Sequence, residues 1–326
     1  MEITKDKITE IFCIIDDSCK EYDAEIEKKA ISEPNGRKHR KRKWAMSRSE
    51  IMAILIYFHF NTFRYFKHYY LFYVKNHLCD LFPNLLSYNR FIELESRVAV
   101  EIMSFIQLFC FGMGSGISFI DSTCVPVCHN KRIKRNKVFK GYAEIGKSTM
   151  GWYFGFKIHL ICNERGELLN FMLTKANVDD RSTEVFTRLS DNVFGKLFAD
   201  KGYISQGLFE RLFNGGIELV TGLKCNMKNK LMPLYDKILL RKRSVIETIN
   251  DKLKNVAQLV HSRHRSVFNF AMNVLSVLVH TASMRRSRPS TSIIASSTLM
   301  GSLLLYNKGI FSLLTTYRLP FTLVEG

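Results

Sequence analysis

Acidic residues are scarce in this 326-residue chain. It has 30 Asp and Glu against 48 Lys and Arg, a formal net charge of +18, and a sequence pI of about 9.6. That excess is larger than solubility requires and points to an anionic polymer partner. Nucleic acid leads. A membrane surface is disfavoured, because the basic residues are not confined to one amphipathic helix. Long apolar runs are also missing. No segment reaches the roughly 18 uninterrupted apolar residues of a membrane span, and the runs 51–60 and 271–279 have the length of core helices. The eight cysteines (Cys13, Cys19, Cys79, Cys110, Cys124, Cys128, Cys162 and Cys225) form no Cys-x-x-Cys. Cys124, Cys128 and His129 show no evident fourth zinc ligand and fit no common finger, so structural thiols are the preferred reading. The charged N-terminus is unlike a secretory signal, and free thiols in a reducing cytosol are expected. Glycine is absent from 49–110 while aromatics abound.

That glycine-free region reads as several packed helices. Ser47 or Ser49 can cap one over Ile51, Ile54 and Leu55. Another opens at 87–91. There Tyr88, Asn89 and Arg90 would suit the start of a recognition helix, an ordinary helical packing domain being the equal alternative. Ahead of it, the dense basic run 37–43 reads as a phosphate-contacting arm in preference to a solvated linker. A helical DNA-binding or accessory region is therefore expected over 1–112.

The glycines of 112–116 mark a break, after which the periodicity changes. Strands are expected over 117–120, 153–161, 168–174, 196–199 and 217–221. Helices are expected over 181–189, 205–214, 242–260 and 266–284. Three antiparallel strands followed by alternating helices and strands imply a mixed sheet with helices on its faces, an α/β (α+β mixed) domain over 117–285. Residues 286–326 are rich in Ser, Thr and Leu, hold one acidic residue (Glu325), and form a C-terminal tail of uncertain origin.

The helix over 242–260 has two faces. Ile246, Ile249, Leu253, Val256 and Val260 form an apolar stripe, and Arg243, Glu247, Asn250 and Lys254 a polar one. Asp121 is expected at the end of the first strand and Asp200 at the end of the fourth, where sites form in such sheets. Converging carboxylates need a counter-charge, and Mg²⁺ or Mn²⁺ suits all-oxygen ligands. Taken singly, Asp121 and Asp200 fit turns, and Glu247 fits helix-surface pairs with its neighbours. Asp180 fits a helix cap, and Trp152 fits the core better than a base-stacking platform. His129 reads equally as lining the site or as structural.

These residues resemble the insertion-sequence DDE transposases of bacteria, whose catalytic core is RNase H-like. The resemblance covers about 118–282. It rests on Ile120-Asp121-Ser122-Thr123 with 127–132, on Ala199-Asp200-Lys201-Gly202-Tyr203, and on Arg243-x3-Glu247-x6-Lys254. The last block usually begins Tyr-x2-Arg, and Leu240 stands at the tyrosine position. The resemblance implies cleavage and strand transfer at terminal inverted repeats, with Asp121, Asp200 and Glu247 holding two metal ions. Arg243 and Lys254 would contact phosphate near the scissile bond. Lys131, Arg132, Lys134 and Arg135 follow Asp121 closely in sequence and are expected to grip the DNA backbone. Lys201, Arg263 and Arg265, with His261 and His264, would add phosphate contacts. Double-stranded DNA is the implied partner, with a homodimer during synapsis, no membrane, and a bacterial cytoplasmic, nucleoid-associated location. A nuclease of the same fold and an inactive DNA-binding relic are the alternatives.

Overall fold

A computed structural model describes residues 5–29, 45–191, 193–223, 227, 231–260 and 264–283. The basic run 37–43, Cys225, His261, Arg263 and the tail 286–326 lie outside the described residues. The described residues divide into two compact units, one of those up to 109 with 268–280, the other of 110–267 with 281–283.

The first unit is helical. Helix α1 (Lys5–Lys29) buries Ile8, Ile11, Ile15 and Cys19, a stripe at steps of three and four. It packs on α2 (Arg48–Tyr57), which is apolar almost all round and lies at the centre of the unit. Ser47 caps α2 in a reciprocal capping box with Glu50. Arg48 ties α2 to Asp23 of α1 and to Glu101, 3.0 Å away. Short helices α3 (Phe66–His68) and α4 (Lys75–His77) flank a π-helical turn, Tyr69–Val74. Next come α5 (Tyr88–Glu95), capped by Ser87, and α6 (Ala99–Phe105). Tyr88 packs against Tyr70 and under Lys67, and Arg90 pairs with Glu93 at 2.6 Å. Tyr88 is thus half-buried by its neighbours, while Arg90 is exposed in a surface ion pair.

The second unit is built on six strands, β1 (Ile117–Cys128), β2 (Glu144–Ser148), β3 (Gly151–Asn163), β4 (Leu168–Lys175), β5 (Gly195–Ala199) and β6 (Ile217–Thr221). Their order is β2-β3-β1-β5-β6, with β4 also on β3. Strands β1, β3 and β4 are antiparallel, while β5 and β6 run parallel to β1. With β2 set aside as a short addition to the end of β3, this is the RNase H-like order. Gly195 fixes the parallel register. It adopts φ +76°, and a Cβ there would lie 2.5 Å from the carbonyl oxygen of Gly116. Helices α7 (Thr183–Leu189) and α8 (Gln206–Asn214) cover one face, packing Val185, Phe186, Leu189, Leu208 and Leu212 against Ile120, Ile161, Leu197 and Ala199.

Two expectations change here. The first strand does not end at Asp121. It runs on to Cys128, because β3 continues to pair with it after β5 stops at Phe119. Pro126 is tolerated there, since that stretch of β1 has a partner on one side only. The single long helix over 242–260 is instead α9 (Leu234–Lys242), α10 (Ser244–Asp251) and a π-helical turn, Lys252–Val256. The π turn carries an Ala257 N–H to Lys252 carbonyl bond of 2.9 Å. It holds one extra residue, so the apolar stripe changes phase. Ile246, Ile249 and Leu253 are buried as expected, but Val256 is 49% exposed, and Ala257 and Leu259 turn inward instead. The last helix, α11 (Val267–Ser283), falls within the expected 117–285 domain, yet its residues 268–280 cluster with the helical unit.

Candidate active site

Asp121 lies within β1, opposite Leu160 of β3. The parallel register pairs Phe119 with Phe198, their rings 5.7 Å apart. Neighbouring strands are about 4.8 Å apart, so Phe119 and Phe198 hold adjoining positions, and each aspartate follows its phenylalanine by two residues. Asp200 itself is exposed, one residue beyond β5, and its carbonyl accepts from the Tyr203 N–H at 3.0 Å in a short helical turn.

Helix α10 packs on β1 and brings in the third carboxylate. The Arg243 guanidinium lies between the two, with Nη1 3.8 Å from Asp121 Oδ1 and Nη2 2.6 Å from Glu247 Oε1. Asn250, one turn further along, donates from Nδ2 to Asp121 Oδ2 at 2.9 Å. Its own Oδ1 is buried without a partner. Burial pushes the Asp121 carboxyl up to about 6. Arg243, the Ser122 backbone and Asn250 pull it down, while Glu247 adds to the rise. The carboxylate is therefore held half-desolvated against one cation and one amide.

A second polar cluster adjoins this site. Asp180 does not cap α7, whose N-cap is Ser182; it receives Lys157 Nζ at 3.1 Å instead. Lys157 also donates to the Val178 carbonyl. His159, fully buried, shares a 2.9 Å hydrogen bond with Thr174. Burial lowers its imidazole to about 4, so it is neutral at pH 7. The Tyr203 hydroxyl is buried, and burial with the nearby charges of Asp180 and Asp121 pushes it well above the ordinary tyrosine range.

The donor set fits a divalent cation. Asp121 and Glu247 already share one positive group, and hard carboxylate oxygens are what Mg²⁺ or Mn²⁺ accepts. Among the described residues, no group of three His, Cys, Asp or Glu is gathered closely enough to hold an ion, and Arg243 occupies the space between the first two carboxylates.

The basic residues are dispersed. Lys201 is exposed beside Asp200, and Lys254 is half-buried in the π turn. Lys131, Arg132, Lys134 and Arg135 are exposed in the helical turn Asn130–Arg135, beyond the far end of β1. Nearness in sequence does not place them at Asp121, because an extended strand of seven residues intervenes, roughly 23 Å at ~3.3 Å per residue. His129 is exposed there too, accepting from the Lys131 N–H, and does not line the site. Arg265 is exposed ahead of α11. Burial lowers His264 to about 4, so it brings no charge to a phosphate at neutral pH. Trp152 is 62% exposed and is not core. The contact at this site that sequence reasoning missed is Asn250 to Asp121. Its signal was present in the shared face with Arg243 and Glu247, but the partner 129 residues away was not.

Among the described residues, no helix is long and apolar enough to cross a membrane. No curated protein matches the chain. Among solved structures it is similar to a piggyBac transposase synaptic complex with hairpin DNA, determined by cryo-electron microscopy. The sequence identity is 13% and the TM-score 0.41, over 96% of this chain and 80% of that one. Residues 111–267 match the family described as transposase DDE domain. That matched segment, just under half of the chain, contains the entire sheet together with Asp121, Asp200 and Glu247.

Proposed function

We propose that this chain is the DNA transposase of a bacterial insertion sequence, cutting at the element's ends and joining them to target DNA. The observation that carries this reading is the meeting of Asp121 and Glu247 on one guanidinium, at a sheet position where Asp200 ends the neighbouring strand. Asp121, Asp200 and Glu247 would hold two Mg²⁺ or Mn²⁺ ions. When bound, these supply activation of the attacking hydroxyl and stabilisation of the leaving oxygen. Asn250 orients the Asp121 carboxylate through its hydrogen bond to Oδ2. Arg243, once freed from its carboxylates, and Lys254 face the phosphate, whose negative charge grows as the bond order changes. Lys131, Arg132, Lys134, Arg135, Lys201, Arg263 and Arg265 grip the DNA backbone. Residues 1–112, with the arm 37–43, form a DNA-binding or accessory region, and 117–285 the catalytic domain. Two ends must be held at once, which a homodimer on nucleoid DNA accomplishes.

The test is cleavage of labelled duplex carrying the element's own end, with Mg²⁺ or Mn²⁺. Cleavage and strand-transfer products are expected, and both fall to background in Asp121→Ala, Asp200→Ala and Glu247→Ala. Nicks without joined products would indicate a nuclease. Unchanged metal-dependent cleavage in the Asp121 or Glu247 variant would remove the site proposed here.

A further inference from the structure

The β2–β3 hairpin carries an aromatic and cationic surface that the active site does not use. Trp152 is 62% exposed, Ile145 47% and Met150 97%. Lys147, paired with Trp152 across the hairpin, holds its ammonium 5.7 Å from the Trp152 ring centre. The hairpin cannot turn these groups inward. Its other side is pressed on the chain, and a Cβ at Gly146 would lie 2.3 Å from the Ala176 carbonyl oxygen. Asn130 donates to the Trp152 carbonyl at 2.7 Å, which fixes the basic turn Asn130–Arg135 beside the hairpin. Lys131, Arg132, Lys134 and Arg135 are all exposed there.

We infer that this surface is a second DNA contact and that Trp152 stacks on an unpaired or unstacked base. The inference rests on the transposase reading for DNA as the ligand. The basic turn alone would suit any phosphate backbone. A paired duplex, however, offers phosphates and base edges, which give an exposed indole with Ile145 and Met150 beside it little to bury. Base faces become available only where strands are unpaired or a step is opened, and there an aromatic ring beside cations is the usual platform. The patch lies roughly 23 Å from Asp121 along β1, at ~3.3 Å per residue. It would thus engage DNA away from the reacting phosphate.

The full chain tests this in chelator, where no reaction proceeds. Its two tryptophans are Trp44 and Trp152, so Trp44→Phe leaves Trp152 as the only reporter. The probes are a single strand, a duplex with a short unpaired gap, and the same duplex fully paired. Trp152 emission is expected to be quenched by the first two and little changed by the third. Trp152→Ala should weaken binding to the unpaired probes by about 5- to 100-fold and leave duplex binding unchanged. Trp152→Phe should restore most of the loss. Equal quenching by paired and unpaired probes, or equal weakening of both by Trp152→Ala, overturns the inference. The quenching measurement needs no Trp152 variant, so misfolding of Trp152→Ala does not decide the matter. Loss of cleavage in other assays does not bear on this result, whereas failure to bind any DNA would remove the transposase reading itself.

Discussion

Asn250 is tied to Asp121, the first of the three carboxylates proposed to hold metal. Its amide holds one oxygen of Asp121 while Arg243 faces the other. Groups of this kind orient metal ligands, and removing them costs about 10–100-fold in metal affinity or activity. Asn250→Ala is expected to lower cleavage by about that factor and to raise the Mg²⁺ concentration for half-maximal rate. Unfolding stability should fall by only about 1 kcal/mol. A loss of stability with no change in the Mg²⁺ requirement would make Asn250 merely structural. Glu95 gives a separate residue-scale prediction. Burial raises its carboxyl to about 8. The folded value lies above the unfolded one, so the proton is bound more tightly in the native state. The associated stability is complete below about pH 4.5 and is lost as pH rises through about 8. Glu95→Gln should leave stability unchanged near pH 4 and raise it by a few kcal/mol at pH 9. Denaturant titrations at the two pH values check this.

At the scale of elements, the decisive feature is the end of the segment carrying Arg243, Glu247 and Lys254. Gln258 adopts φ 54°, a left-handed conformation that costs a non-glycine residue about 1 kcal/mol, and its side-chain oxygen is buried without a partner. The Leu259 N–H bonds back to the Leu253 carbonyl at 3.2 Å, as a helix-ending left-handed residue permits. Gln258→Gly is therefore expected to stabilise the protein by about 1 kcal/mol. The π turn makes a sharper prediction. Leu253→Ala should cost about 2–5 kcal/mol, and Val256→Ala less than about 0.5 kcal/mol. Similar costs for the two in denaturant unfolding would mean that the helix keeps regular phase. The apolar stripe was legible through Leu253, because periodicity needs only local spacing. It failed at Val256, because a π turn leaves no mark in the pattern of residue types. Asp121 was likewise expected at a strand end, whereas it lies inside β1. The length of β1 is set by its pairing with the distant β3.

At the scale of the whole molecule, charge dominates. A net +18 spread over several basic runs predicts DNA binding that weakens steeply with salt. Each neutralised phosphate adds about 0.9 to the slope of log K against log salt concentration. Replacing Lys131, Arg132, Lys134 and Arg135 together by alanine should reduce that slope by about three to four. Salt-insensitive binding in anisotropy titrations would show that these runs are not the contacts.

The sequence by itself determined the composition of this protein's chemistry. Its charge raises the expectation of a polyanion, and its turn and periodicity signals place most strands and helices. The spacing Arg243-x3-Glu247 puts a cation and a carboxylate on one helical face. All of these follow from interactions between near neighbours in the chain. Only the tertiary structure decided that β1 continues past Asp121, that Asn250 reaches across 129 residues to hold it, and that Trp152 stands in solvent rather than in the core. Each depends on which segments pair and which faces are already occupied. That is settled by burial and hydrogen bonding between residues far apart in sequence.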